Sequence, residues 1–422
     1  MIKRAFVFTI NIVFIFSVVS AQTPTKWRGE NNNGIYNETG LLKKWPADGP
    51  EIIWTYDGLG EGHSSPVFAN GYIFLSTMID STGYIIVLTQ DGKLHWKAPY
   101  GKEYVESYPG SRTSPVIAGD LLYIYSGYGV LTCMDATNGK VKWQKDGFND
   151  FDGENIRWGV TETVVVDGDV VYFTPGGKKN NVVALNRFNG NLVWTSPGKG
   201  ELSAYCTPLL VELPSRKLLV TMTADHIIGL DAKTGKMLWD YPQTNRWQVH
   251  ANTPIFYDGD LFCFSGYGQG GVKLDLSEDG SSVKKAWFKT ELDSRMGGMV
   301  VVDGYLYGSG DKAREWRCID WKTGKEMWVD NVLDTKTEER NGETVEVEVK
   351  LSKGVTIYAD GMLYCYGDRG DLALVEATPE AFKPVSYTKV ELGSAQHWAH
   401  PVINKGRLFV RHGDVLIVYK IK

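Results

Sequence analysis

The sequence predicts an all-β chain: an eight-bladed β-propeller of four-stranded antiparallel blades, its ring closed by an N-terminal strand that pairs with the C-terminal blade. Three observations predict it. A short stretch recurs, as "DATNGKVKW" at 135–143, "DAKTGKMLW" at 231–239 and "DWKTGKEMW" at 320–328. Upstream of the copies stand two apolar runs split by a tight turn, as in "ETVVVDGDVVYFT" and "NTPIFYDGDLFCFS", and Asp-Gly or Asn-Gly between such runs is the strongest short-range sign of a hairpin. From Trp54 to Trp328 the spacing between successive repeat tryptophans is 41 to 51 residues, the length of a small sheet that must stack on neighbours to bury both faces.

The first element is a leader. "MIKRAFVFTINIVFIFSVVSAQ" carries Lys3 and Arg4, an apolar run from Ala5 to Val19 and small residues up to Ala21. It predicts a signal peptide over 1–21, cleaved near Ala21, and a periplasmic or secreted protein. The run is shorter than the roughly 20 apolar residues a span requires and contains Asn11, and no later stretch is apolar enough, so the mature chain is not expected to span a membrane. Loss of Lys3 and Arg4 takes the formal charge from −5 to −7, which argues against a nucleic-acid partner.

Residues 22–422 then read as one propeller. "EIIWTYDG" at 51–58 is an outer strand with no inner strands before it, and "HPVINKGRLFVRHGDVLIVYKIK" at 400–422 is three strands with no outer strand after them. Joined, they complete one blade and leave no open edge. Between them, inner strands are expected to begin near 63, 111, 160, 204, 251, 297, 354 and 398, and outer strands carry Trp54, Trp96, Trp143, Trp194, Trp239, Trp287, Trp328 and Tyr387. In each repeat the Asp accepts backbone N–H groups of the turn, the Gly supplies a positive φ, and the Trp lies between blades. Five cysteines, at 133, 206, 263, 318 and 365, sit in apolar stretches without metal or disulfide spacing and read as small buried hydrophobes. "DGFNDFDGEN" at 146–155 reads as a solvated loop, since Phe148 spoils the oxygen spacing of a calcium loop. "TEERNGETVEVEVKLS" at 337–352 reads as an extra hairpin on the functional face.

The turns inside the hairpins are short and share one face of the disc. The longer, polar connections share the other, where a site is expected. Just before the inner strands stand Glu61 and His63, Arg112, Arg157 with Trp158 and Glu162, Tyr205, Trp247 with His250 and Asn252, Arg295 with Met296, Lys353, and His397 with Trp398 and His400. Cations, aromatic rings and a few carboxylates thus converge on the channel mouth, a composition suited to a flat anionic ligand.

"DAKTGKMLW" resembles the tryptophan-docking motif of the eight-bladed quinoprotein dehydrogenases, and residues 27–422 are similar to the pyrroloquinoline quinone (PQQ) repeat superfamily, including the leading "WRGENNNG". The same repeats build the propeller of the outer-membrane-protein assembly lipoprotein, a scaffold without a quinone. The resemblance implies PQQ, a ring system with three carboxylates, with a calcium ion beside it. For that group Arg112, Arg157, Arg295 and Lys353 would supply the cations, Trp158, Trp247 and Trp398 the aromatic face, and Glu162 with Asn252 the metal oxygens; Glu61 is a further oxygen candidate. Glu61, Glu162 and His250 are the candidate catalytic bases. The chain departs from the alcohol dehydrogenases in having no adjacent cysteine pair and no Asp base in a matching context. Two functions follow: an exported quinoprotein that oxidises alcohols or sugars, or a non-catalytic scaffold that holds a protein or glycan.

Overall fold

The computed structural model describes residues 23–340 and 342–422, so the expected signal peptide lies outside the described residues. Its strands form eight four-stranded antiparallel blades. The first is Val67–Ala69, Tyr72–Ile79, Thr82–Leu88 and Leu94–Lys102, numbered from the channel outward. Blades 2 to 7 begin with Val116–Ala118, Val165–Asp167, Leu209–Glu212, Ile255–Tyr257, Val300–Val302 and Gly354–Ala359. In blade 8, Val402–Asn404, Arg407–His412 and Val415–Lys420 are followed outward by Ile52–Tyr56 from the other end of the chain, with Trp54 opposite Val418. The ring closes as expected. Most inner strands begin a few residues later than the sequence suggests, because the preceding residues lie outside the regular ladder of the blade.

Five blades are pinned to the next by the indole of a tryptophan. The indole N–H of Trp143 donates to Arg187 O of the following blade at 3.1 Å, Trp194 to Ala232 O at 3.1 Å, Trp239 to Gly280 O at 3.1 Å, Trp287 to Trp321 O at 2.9 Å and Trp328 to Thr378 O at 2.8 Å. The acceptors lie in the outer turn of that blade. There Asp135, Asp231 and Asp320 accept the backbone N–H of Thr137, Thr234 and Thr323 at 3.0, 2.9 and 2.7 Å. The turn glycine has two tasks. Gly235 has φ +72°, and a Cβ on it would stand 2.5 Å from the Trp194 ring. Gly324 shows the same arrangement, with φ +70° and 2.7 Å to the Trp287 ring. Only a residue without a side chain can both turn there and accept the indole above it.

Apolar clusters run across the blade interfaces, one of them joining blades 7, 8 and 1 through Ile357, Tyr364, Phe409, Ile417 and Leu75. All five cysteines are buried and unpaired, as hydrophobes would be. The 146–155 loop is a local turn: Asp146 accepts the N–H groups of Phe148 and Asn149 at 2.9 and 3.0 Å. The extra hairpin pairs Val332–Arg340 with Glu343–Lys350. It lies between the last strand of blade 6 and the first of blade 7, on the mouth side. No helix of the described residues is long and apolar enough to cross a membrane.

The docking geometry yields a stability prediction. Gly235→Ala forces a left-handed L-residue and pushes a methyl into Trp194, so it should destabilise by about 2–4 kcal/mol. A fall in the urea midpoint with an unchanged slope would be expected; a midpoint equal to that of the parent would show that the glycine is not part of the blade contact.

Candidate functional site

The mouth holds a cavity of about 620 Å³, within the size range of small-molecule sites. Its floor comes from a segment that the inner strands alone would not supply. Thr25 pairs with Ile117 of blade 2 through its backbone N–H at 2.9 Å and through the N–H of Ile117 to its hydroxyl at 2.8 Å. Arg28 then donates to Met299 O beside blade 6 at 3.0 Å, and Ile35–Tyr36 adds a parallel strand to Tyr358 and Ala359 of blade 7. Blades 2 and 6 face each other across an eight-bladed ring, so residues 25–36 span the channel. Within this crossing, Trp27 lines the cavity and stands 4.6 Å from the His400 ring. The mouth is therefore a cup with a bottom.

Its wall is aromatic. The Trp158 and Trp247 rings meet edge to face at 5.6 Å, Tyr267 follows at 6.5 Å, and Tyr108 and His63 flank Trp398 at 5.0 and 4.9 Å. Guanidinium groups lie on these rings. Arg157 stands 5.0 Å from the Trp158 centroid and 4.9 Å from that of Trp247, while Arg246 stands 5.2 Å from Trp247. A guanidinium resting on an aromatic face keeps its in-plane N–H groups available to an acceptor.

The other cations are already engaged. Arg112 donates to Trp158 O, to Ser107 O at 2.6 Å and to Tyr108 O at 2.7 Å, so it ties wall loops together. Arg295 is bonded to Asp311, and Lys353 reaches the same carboxylate at 2.8 Å. Of the seven residues expected to hold a cofactor, Arg112, Trp158, Trp247, Arg295 and Trp398 line the cup. Arg157 caps the two tryptophans, and Lys353 lies behind Asp311.

The expected bases and metal oxygens are placed elsewhere. Glu61 is exposed and its backbone pairs with Met78. Glu162 is buried and accepts the N–H of Thr174 at 3.1 Å. His250 is buried, its Nε2 3.0 Å from Ala224 O, and burial lowers its pKa to about 4, so the ring is neutral and donates that bond. Asn252 donates to Phe264 O and Ser294 O, both at 2.8 Å. None of the four lines the cup. Asp293 accepts the N–H groups of Gly268, Asp311 and Lys312 at 3.0, 3.0 and 3.2 Å. Among the described residues no group of three or more His, Cys, Asp or Glu could hold a metal ion. The cup thus fits the flat, anionic part of a quinone cofactor, and its oxygen set does not fit the calcium ion.

Several wall residues escaped the sequence reading, which considered only positions before the inner strands. Tyr267 and Asp368 come from the connections between second and third strands. Tyr108 lies further back in a mouth loop, and Trp27 lies in the crossing segment. Arg246 adjoins Trp247 in the sequence, and the doublet "RW", repeated at 157–158, was the available signal.

Glu162 gives a pH prediction. Burial holds its carboxyl well above the usual range, so the folded chain binds this proton more tightly than the unfolded chain does. The stabilisation is complete below the unfolded pKa and is lost as pH rises through the folded one. Glu162→Gln keeps an oxygen for the Thr174 N–H and removes the titration. Relative to the parent, its urea midpoint should therefore rise between pH 4 and pH 8; a constant difference would show that the carboxyl does not titrate with folding.

A family model described as outer membrane protein assembly factor BamB matches residues 81–330. The outer membrane protein assembly factor BamB of Kangiella koreensis is 31% identical over 181 residues, which is 42% of each chain. The quinoprotein ethanol dehydrogenase of Pseudomonas aeruginosa is 25% identical over 224 residues, 52% of this chain and 29% of that one. These matched stretches span less than half the length of either relative. A europium-containing methanol dehydrogenase has a similar fold, with a TM-score of 0.64 at 14% identity over 93% of this chain and 90% of that one.

Proposed function

Starting from a chain that belongs to the PQQ-like propeller repeat family whose model is described as outer membrane protein assembly factor BamB, we propose that this is a binding propeller of an exported compartment. Its cup takes a flat, ring-bearing carboxylate and holds it without a calcium ion beside it. The observation that carries this reading is the cluster of Arg157, Trp158, Trp247 and Arg246, in which two guanidinium groups without a carboxylate partner among the described residues lie on two tryptophan rings at the cup. Trp158, Trp247 and Trp398 would offer faces for stacking. Arg157 and Arg246 would donate to carboxylate oxygens, with Arg295 shared between the guest and Asp311.

Electrostatics supports an anionic guest. The chain carries a net −5, yet Arg112, Arg246 and Arg295 line the cup with one carboxylate, Asp368, and a recess between low-dielectric walls concentrates such a field. Oxidation of an alcohol or sugar would need a base facing the guest. Asp368 is the carboxylate of the cup wall, and it stands 4.0 Å from the Lys353 ammonium.

Calorimetry with PQQ tests this reading. One-to-one binding should be seen in the presence of EDTA and remain unchanged when calcium is added. Trp247→Ala removes a stacking face and the seat of two guanidinium groups, and should weaken the affinity about ten- to a hundredfold. Heat that appears only with calcium, or a Trp247→Ala protein that binds as tightly as the parent, would overturn the proposal.

A second reading, docking of a protein partner, is favoured by the charged hairpin, whose strand Glu343–Lys350 is paired on one side alone. If that is its task, replacing residues 336–347 by a short glycine turn should leave PQQ affinity unchanged. A loss of guest binding on trimming would show instead that the hairpin covers the cup.

A further inference from the structure

Among the described residues two arginines are at most 1% exposed, Arg28 and Arg411, and they differ sharply in how they are satisfied. Arg411, at 0% exposure, donates through all three of its nitrogens: to Gly413 O at 2.9 Å, to Ser64 Oγ and Ser76 O both at 2.7 Å, and over longer distances to Ser64 O and Thr77 Oγ1. Arg28, at 1% exposure, donates from Nη2 to Met299 O alone. Its Nε is buried without a partner. The acid group that bears on it is the phenol of Tyr36, which burial keeps protonated, and the hydroxyl of that same tyrosine is itself buried without a partner. The indole N–H of the neighbouring Trp27 is in the same condition. Three unused donors and one unused acceptor, Asn32 Oδ1, therefore sit on one crossing segment in the axis of the ring, around a cation that no carboxylate of the described residues neutralises.

A guanidinium withdrawn from water without a counter-charge is among the costliest groups a fold can bury. The chain nevertheless builds toward it. Gly34, at φ +77°, approaches so closely that a Cβ there would stand 2.7 Å from Arg28 Nη2. The backbone at residues 28–34 closes on itself through the N–H of Gly34 to Arg28 O at 2.8 Å and that of Asn32 to Gly29 O at 3.1 Å.

We propose that the axis of this propeller holds one small inorganic anion of chloride size, bound by Arg28 beneath the floor of the cup. Arg28 is buried and does not line the cup, so the anion must be small enough to be wholly enclosed, and the proposal does not depend on what the cup above binds. The anion would supply the missing negative charge and accept from Nε of Arg28. It would also give the crossing segment a reason to seat a cation in the channel, where a neutral side chain would fill the same space.

The test is thermal unfolding of the mature protein in sodium chloride exchanged for sodium gluconate at constant ionic strength. Tm should rise by about 1–2 °C for each tenfold increase in chloride above its dissociation constant. Arg28→Met should abolish the dependence. Crystals grown in bromide should show an anomalous peak beside Arg28, a readout that needs no variant. Equal Tm in the two salts with no bromide at Arg28, or a chloride dependence that persists in Arg28→Met, would overturn the proposal and leave buried water as the partner of these donors.

Discussion

Everything else in the ring rests on the contact between an indole and a glycine of the next blade. A four-stranded blade has two apolar faces, and its neighbours can cover both only at a fixed offset and angle. The bond from Trp194 to Ala232 O and the flat approach of its ring to Gly235 set that offset once, and the ring-to-glycine contact recurs at Trp54, Trp96, Trp143 and Trp287. Because this docking is made at the outer turns, it places no demand on the mouth loops. Those loops have the freedom to differ in length and chemistry from blade to blade, which is why one face of a nearly regular object carries an irregular cup.

The cup gains its shape from two kinds of work within the wall. Residues 25–36 cross the channel and turn a hole into a recess. Arg112 binds three backbone carbonyls of the surrounding loops, and Asp311 is held between Arg295 and Lys353. Groups used in this way are positioned before any guest arrives, so little ordering would remain to oppose binding. The cations on Trp158 and Trp247 differ from these in having no carboxylate partner among the described residues.

The fold was legible because its signals are periodic and local: turn glycines, alternating apolar runs and docking tryptophans recur at the spacing of a blade. Even the shared blade could be counted out, since "EIIWTYDG" lacks inner strands and the last 23 residues lack an outer one. The site was legible only in part. Charged residues before each inner strand do gather at the mouth, but which way each side chain turns depends on a single backbone step in an irregular loop. Glu162 and Asn252 turn into the blades, whereas Trp158 and Trp247 turn into the cup. Trp27 and Arg28 were out of reach for another reason: a segment that crosses the channel touches partners hundreds of positions away, and no local pattern announces that.

That crossing sets an order of events for the chain as a polymer. Ile52–Tyr56 must wait for Val415–Lys420, and Arg28 must wait for Met299, 271 positions later. The residues on the N-terminal side of blade 1 are thus among the last to be fixed. Contacts of such span make folding slow and favour late closure, so the central blades can stack while both chain ends are still free. Axis and rim would then lock together in a final step, with the plug entering while the ring is still open enough to admit it.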